Sequence, residues 1–228
     1  LTLPGSTLVY TEHGRYGDGP PSDKRRIANK LFGRVPGHLF AVSHDLRQHM
    51  IGEGLPAGRL KVNHNGVAPG LVTSPQARDA VRNELGLAKQ DWVLGTVARL
   101  DPVKDLGNLV QAIRVLAPEI PQLRLAVVGD GPEEAALKAA AEQSGAADRF
   151  VFTGHRDDAR NLMAGFDAYV NCSVIEGISV TILEALAAGL PVLATQVGGT
   201  PEILGDDEFG LMFPSRSVSA LVEAIRHL

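Results

Sequence analysis

Trp92-Val93-Leu94-Gly95-Thr96-Val97-Ala98 is a strand-like run that stops at Arg99, and beyond it the apolar residues change period. Val103, Leu106, Leu109, Val110, Ile113 and Leu116 recur at three-and-four spacing, which is one apolar stripe on a helix. The same strand-then-helix unit repeats downstream. Strands are predicted at Leu123–Val128, Phe150–Phe152, Ala168–Val170, Pro191–Ala194 and Leu211–Phe213. Helices are predicted at Glu133–Gln143, Asp158–Ala164, Val180–Ala188 and Val218–Leu228. Such alternation argues for an α/β chain built on a doubly wound parallel sheet. Sheets of that kind bind ligands beyond the carboxyl ends of their strands, so the polar residues just after each strand are the ones to weigh.

Upstream the alternation is shorter. Ser6–Thr11 reads as a strand, Gly14–Pro21 as a loop, and Ser22–Phe32 as a basic helix. Leu39–Val42 is a second short strand. Ser43 can cap a helix running from His44 to Gly52, because its hydroxyl accepts from free first-turn amides. Leu60–Val62 follows as a strand and Asn65-Gly66 as a turn. Pro69, Gly70 and Pro75 mark a linker over Ala68–Ala77. The division expected is therefore a partial first Rossmann-like domain over residues 1–67, an interdomain stretch over 68–90, and a second Rossmann-like domain over 91–228.

Composition narrows the function. The 228 residues carry 22 basic and 26 acidic side chains, a net charge of −4, which excludes a nucleic-acid binder working by bulk charge. The single cysteine, Cys172, excludes a disulfide framework and a cysteine-based zinc site and suits a reducing cytoplasm. No apolar run is long enough to span a bilayer and no signal peptide is visible. The chain opens at Leu1 without an initiator Met and is expected to be a fragment.

Several strand exits carry residues with possible chemistry. Arg99 and Lys104 flank Asp101-Pro102, either as solvated cations or as a clamp that neutralises a pyrophosphate. Gly129 opens Gly129-Asp130-Gly131-Pro132, where glycine serves a tight turn first and close approach to a ligand second. His155 or Arg156 could stack on or hydrogen-bond a nucleobase. Glu176 and Glu184 lie eight residues apart. With a helix starting near Ser179, Glu176 sits before it and Glu184 about one turn inside. The free amides of Gly177, Ile178 and Ser179 then lie between two carboxylates, a pattern that suits a phosphosugar; the alternative is acids that merely complement a helix dipole. His44 and His49 are not at one-turn spacing and no acidic cluster accompanies them, so no metal is expected.

Taken together, Glu176-x7-Glu184, the run Ala185–Val192, and Gly198-Gly199-x-x-Glu202 resemble the retaining nucleotide-sugar glycosyltransferases of GT-B fold, the glycogen-synthase-like and mannosyltransferase-like group. Arg99-x4-Lys104, Gly129-Asp130-Gly131-Pro132 and Asn65-Gly66-Val67 match the group's diphosphate clamp, second glycine turn and interdomain hinge. The resemblance implies transfer of a sugar from a nucleotide diphosphate sugar to a glycan or lipid-linked acceptor, with retention and without a metal or cofactor. It implies Arg99 and Lys104 on the diphosphate, Glu184 on the ribose, and Glu176 with the Gly177–Ser179 amides on the transferred sugar. His13 resembles the acceptor-side histidine. A cytoplasmic enzyme is implied, with peripheral association at the inner face of a membrane left open. Asp105 stands where many members have Gly, Ala68 where Asp is usual, and Cys172 where Pro is common. The short first domain leaves its glycine loop unmatched, and an open strand edge beside Leu8 and Val9 would invite self-association. Two other readings stand beside this one: a nucleotide-sugar epimerase of the same architecture, and a non-catalytic nucleotide-binding fragment.

Overall fold

Two parallel sheets organise the computed structural model, which describes residues 6–15, 21–70, 74–205 and 207–228. The first contains β1 (Val9–Glu12), α1 (Asp23–Phe32), β2 (His38–Ala41), α2 (His44–Gly52) and β3 (Leu60–Val62), with strand order β1-β2-β3. Helix α2 begins where its cap residue requires: the Ser43 hydroxyl accepts from the Leu46 amide at 3.0 Å. Strand β1 lies at the sheet edge, with Val9 largely exposed. The loop predicted over Gly14–Pro21 lies mostly on residues 16–20, outside the described residues, as do 71–73 of the linker.

The second unit runs α3 (Pro75–Glu84), β4 (Trp92–Val97), α4 (Leu106–Leu116), β5 (Leu123–Val128), α5 (Glu134–Gln143), β6 (Phe150–Gly154), α6 (Ala159–Leu162) and β7 (Ala168–Asn171). It ends with α7 (Val180–Ala187), β8 (Val192–Thr195), α8 (Thr200–Leu204), β9 (Leu211–Phe213) and α9 (Val218–Arg226). Its strands pair in parallel in the order β6-β5-β4-β7-β8-β9. This is the doubly wound order, with the topological switch between β4 and β7. Alternate side chains serve opposite faces. Leu94, Leu125, Val127, Val170 and Leu193 face the cluster that includes α4 and α9, whereas Val93, Ala126, Val128, Tyr169 and Val192 face the one that includes α6 and α7. Both faces are covered, which is why the strands read as apolar runs.

Two local findings depart from the sequence reading. The interdomain stretch 68–90 contains α3, fastened to the second unit by Arg82. That guanidinium is buried, pairs with Asp167 at 2.5 Å, and donates to the carbonyls of Gly165, Lys89 and Asp91. Asp167 also accepts from Arg78 and from the Val93 amide at 2.7 Å. The four-turn stripe predicted from Val103 is interrupted: Pro102–Lys104 forms a 3-10 turn and Asp105 adopts φ 49°, so α4 starts at Leu106. A left-handed backbone at Asp105 is one that glycine adopts freely, in keeping with the glycine that the resemblance leads one to expect there.

Candidate active site at the strand exits

The carboxyl ends of β4, β5 and β6 open into a cleft of about 380 Å³ lined by Ala98, Arg99, Gly129, His155, Arg156 and Thr181, among others. Gly129 has φ +129°, and a Cβ there would lie 2.0 Å from the Ala98 carbonyl oxygen. Its missing side chain lets the β5 exit lie against the β4 exit, and it leaves backbone at the cleft wall. Arg99 stands at the rim with its side chain 73% exposed and its Nε 3.2 Å from Asp101. Arg156 is committed along its edge: Nε and Nη2 donate to Asp158 at 2.7 and 2.8 Å, and Nη1 donates to Glu84 at 2.5 Å. These bonds hold its ionisation above the ordinary arginine range. What remains for a ligand is the flat face of the guanidinium.

Lys104 and Glu176 do not line that cleft; they pair with each other, and Glu176 lines a smaller hollow of about 180 Å³ with Arg15, Val174, Ile175, Val197 and Gly198. Lys104 Nζ lies 2.7 Å from Glu176 Oε1, and the same oxygen accepts from Ser173 Oγ at 2.6 Å and Asn171 Nδ2 at 3.3 Å. Oε2 takes no hydrogen bond from a described residue. Asn171 closes β7, so the end of a buried strand sets the carboxylate's position. Ser179 caps α7 and accepts from the Ile182 amide at 3.4 Å, which places Glu176 before the helix and Glu184 inside it, as the spacing predicted. Glu184 is half-buried, and its carboxylate makes no hydrogen bond or ion pair with a described residue. Tyr169, fully buried, reaches Thr181 Oγ1 at 2.7 Å and the Val97 carbonyl at 3.2 Å, tying α7 to the β4 exit. Burial pushes its hydroxyl pKa up, so it stays protonated.

The first unit meets the Glu176 hollow through Arg15 and the His13 backbone. His13, exposed, follows β1, and its carbonyl oxygen would lie 2.1 Å from a Cβ on Gly177. Only glycine permits that approach of two backbones. Gly199 donates to the Gly177 carbonyl at 2.9 Å, so the second glycine loop braces the Glu176–Gly177 segment. Ile178 departs from the phosphate-amide reading in one respect: its side chain is buried with Leu39, Val42 and Leu46 of the first unit, which leaves only its backbone for a ligand. Cys172 is buried and its thiol pKa is pushed up by desolvation, as befits a strand-end thiol without reactivity.

One contact was invisible to spacing. Glu202, in the first turn of α8, reaches across to α2 and accepts from the amides of His44 and Asp45 at 2.8 and 3.0 Å. Those amides have no intrahelical acceptor, and the carboxylate meets the positive end of the helix dipole. Its pKa is lowered by these bonds and by His64, against the opposing effect of burial.

The Glycosyl transferases group 1 family model matches residues 77–228, beginning within α3 and taking in the whole second sheet. The chain belongs to that family. It is 32% identical over 232 residues to a GDP-mannose-dependent alpha-(1-6)-phosphatidylinositol monomannoside mannosyltransferase of Mycolicibacterium smegmatis, covering 97% of this chain and 60% of that protein. It is 32% identical over 242 residues to the D-inositol 3-phosphate glycosyltransferase of Mycobacteroides abscessus, covering 98% and 53%. Anabaena Alr3699/HepE, solved in complex with UDP, superimposes with a TM-score of 0.87 at 29% identity, covering 97% of this chain and 62% of that one. The same Anabaena protein has been solved with UDP-glucose. The chain thus has the GT-B fold and spans less than two thirds of the length of these proteins. Among the described residues no helix is long and apolar enough to cross a membrane.

Proposed function

We propose that this glycosyltransferase moves a sugar from a nucleotide diphosphate sugar to a glycan or lipid-linked acceptor with retention at the anomeric carbon. The observation that carries the reading is Glu176, fixed by Lys104, Ser173 and Asn171 and followed by Gly177, against which the His13 backbone lies. Nucleotide lies in the cleft at the β4, β5 and β6 exits, its base against Arg156 and Gly129 and its ribose hydroxyls on Glu184. Arg99 and Lys104 take the diphosphate, Lys104 by exchanging its carboxylate partner for a phosphate oxygen. These cations meet the charge that develops as the glycosidic C–O bond breaks, so the proposed reaction draws on no metal or cofactor. Glu176 and the amides of Gly177, Ile178 and Ser179 orient the sugar.

On this reading the acceptor hydroxyl approaches beside His13, and its proton passes to the departing diphosphate oxygen on the same face. No glycosyl-enzyme intermediate forms, which sets the two glutamates apart from a glycosidase pair. The HepE complexes with UDP and UDP-glucose support a nucleotide-sugar donor, and the names of the mycobacterial relatives support a phosphoinositol-type or other lipid-linked acceptor. The proposed enzyme works in the cytoplasm, peripheral to the membrane where the acceptor is a lipid, and self-associates through the β1 edge. The test is transfer from an α-linked donor with the product's anomeric proton coupling read by NMR. An α-product supports the reading; a β-product overturns it.

A further inference from the structure

Away from the donor cleft, the fold gathers three metal-binding side chains that the sequence keeps far apart. His44 is the first residue of α2, His64 lies just beyond β3, and Glu202 belongs to α8 of the other unit. Ligand atoms of all three lie within 4.8 Å of one another, and no other trio of His, Cys, Asp or Glu among the described residues converges so closely. The two imidazole rings stand edge to face with centroids 5.8 Å apart. His64 Nε2 lies 3.1 Å from Glu202 Oε2.

We propose that His44, His64 and Glu202 form a site for a divalent transition-metal ion of the zinc type, joining the two sheet units outside the transfer site. Two imidazoles and one carboxylate are a zinc donor set, with water as the fourth ligand, whereas magnesium and calcium favour oxygen throughout. A tetrahedral ion with bonds of about 2.0–2.2 Å spaces its ligand atoms roughly 3.4 Å apart. The two histidine rings are exposed and close that difference by side-chain rotation. Glu202 is already oriented, since the Asp45 amide holds Oε1 and the His44 amide holds Oε2. A carboxylate oxygen has two acceptor positions, so Oε2 keeps the His44 amide and gives its second lone pair to the ion. The ion replaces the His64–Glu202 hydrogen bond, with His64 bound through Nε2 as the neutral ring protonated at Nδ1.

Because the ligands come from both units, the ion binds the arrangement in which they touch and favours it by mass action. It would therefore act as a staple on the cleft and regulate opening, with no part in bond breaking.

Zinc titrated into the purified chain by calorimetry, in a buffer that does not chelate, tests the site. One equivalent should bind saturably, and cobalt(II) in its place should show the visible absorption of a four-coordinate ion. His64→Ala should weaken zinc binding at least tenfold while keeping the wild-type melting temperature in chelator, since His64 is exposed. His227→Ala should leave binding unchanged. Zinc should raise the melting temperature of the wild type and fail to raise that of His64→Ala. Absence of a saturable equivalent, or an affinity that His64→Ala does not alter, overturns the proposal and marks any residual binding as adventitious.

Discussion

Lys104 Nζ and Glu176 Oε1 lie 2.7 Å apart, joining the 3-10 turn after β4 to the loop before α7. A single ion pair thus links the proposed diphosphate site to the proposed sugar site. Lys104→Met should weaken nucleoside diphosphate binding by about 1.5–3 kcal/mol, roughly ten-fold or more, the usual loss for a charge-assisted contact. Calorimetry on Lys104→Met, Glu176→Gln and the double variant separates the direct phosphate contact from the cost of orphaning Glu176. An unchanged diphosphate affinity in Lys104→Met would remove Lys104 from the donor site.

Glu184 and Glu176 should divide the donor between them. Glu184→Gln is expected to weaken a nucleoside diphosphate and its sugar alike, because its carboxylate, with no hydrogen-bond or ion-pair partner among the described residues, is the proposed ribose ligand. Glu176→Gln should spare the nucleoside diphosphate and weaken only the sugar-bearing donor. Equal losses on the nucleoside diphosphate from both variants would contradict this assignment.

Arg82→Leu should destabilise the fold by about 3 kcal/mol, because it removes a buried guanidinium that serves Asp167 and three backbone carbonyls and leaves Asp167 with Arg78 as its one cationic partner among the described residues. Thermal denaturation measures the loss. Arg82→Leu with Asp167→Asn should recover part of it, and a double variant no more stable than Arg82→Leu would show that the damage lies in lost packing and unpaired carbonyls rather than in the weakened pairing of Asp167.

Asp105 gives a pH signature. Burial raises its carboxyl pKa in the folded state, against the lowering effects of the Asn108 hydrogen bond and Arg216. A raised folded pKa means that stability is fully present below the unfolded value and declines as pH rises through the folded one. Asp105→Asn keeps a side chain that tolerates the left-handed backbone and removes the buried charge. Its melting temperature relative to wild type should therefore be higher at pH 7 than at pH 3. A difference that is flat with pH would mean that Asp105 is well solvated when ionised.

Much of the second sheet was legible because its signals are local. A buried parallel strand is an apolar run bounded by glycine or charge, and Ser179 announces α7 through its hydroxyl. Helix α3 was hidden for a physical reason: Pro69, Gly70 and Pro75 read as linker, and the residue it buries is a charged one, Arg82. Asp105 splits a stripe that periodicity joins, since period says nothing about the sign of φ. The Glu176 cradle was half legible. Its helix context follows from spacing, but its Lys104 partner lies 72 residues away. Glu202 was read only as part of a glycine-loop motif, because its partners His44 and Asp45 lie 158 and 157 residues upstream. Contacts at such range are set by how the two sheets meet, and no short pattern records that.

The carboxylate of Glu202 makes the chain a gauge of its own opening. Ser43 protects the Leu46 amide from within the first unit, whereas the amides of His44 and Asp45, two residues and one residue earlier, are protected by Glu202 of the second unit. While the two units touch, deuterium cannot readily replace those two protons; when they part, the protons are those of a frayed helix start. Three successive amides on one helix end therefore separate the loosening of a helix from the parting of the two units, and the difference in their protection measures the free energy of that parting.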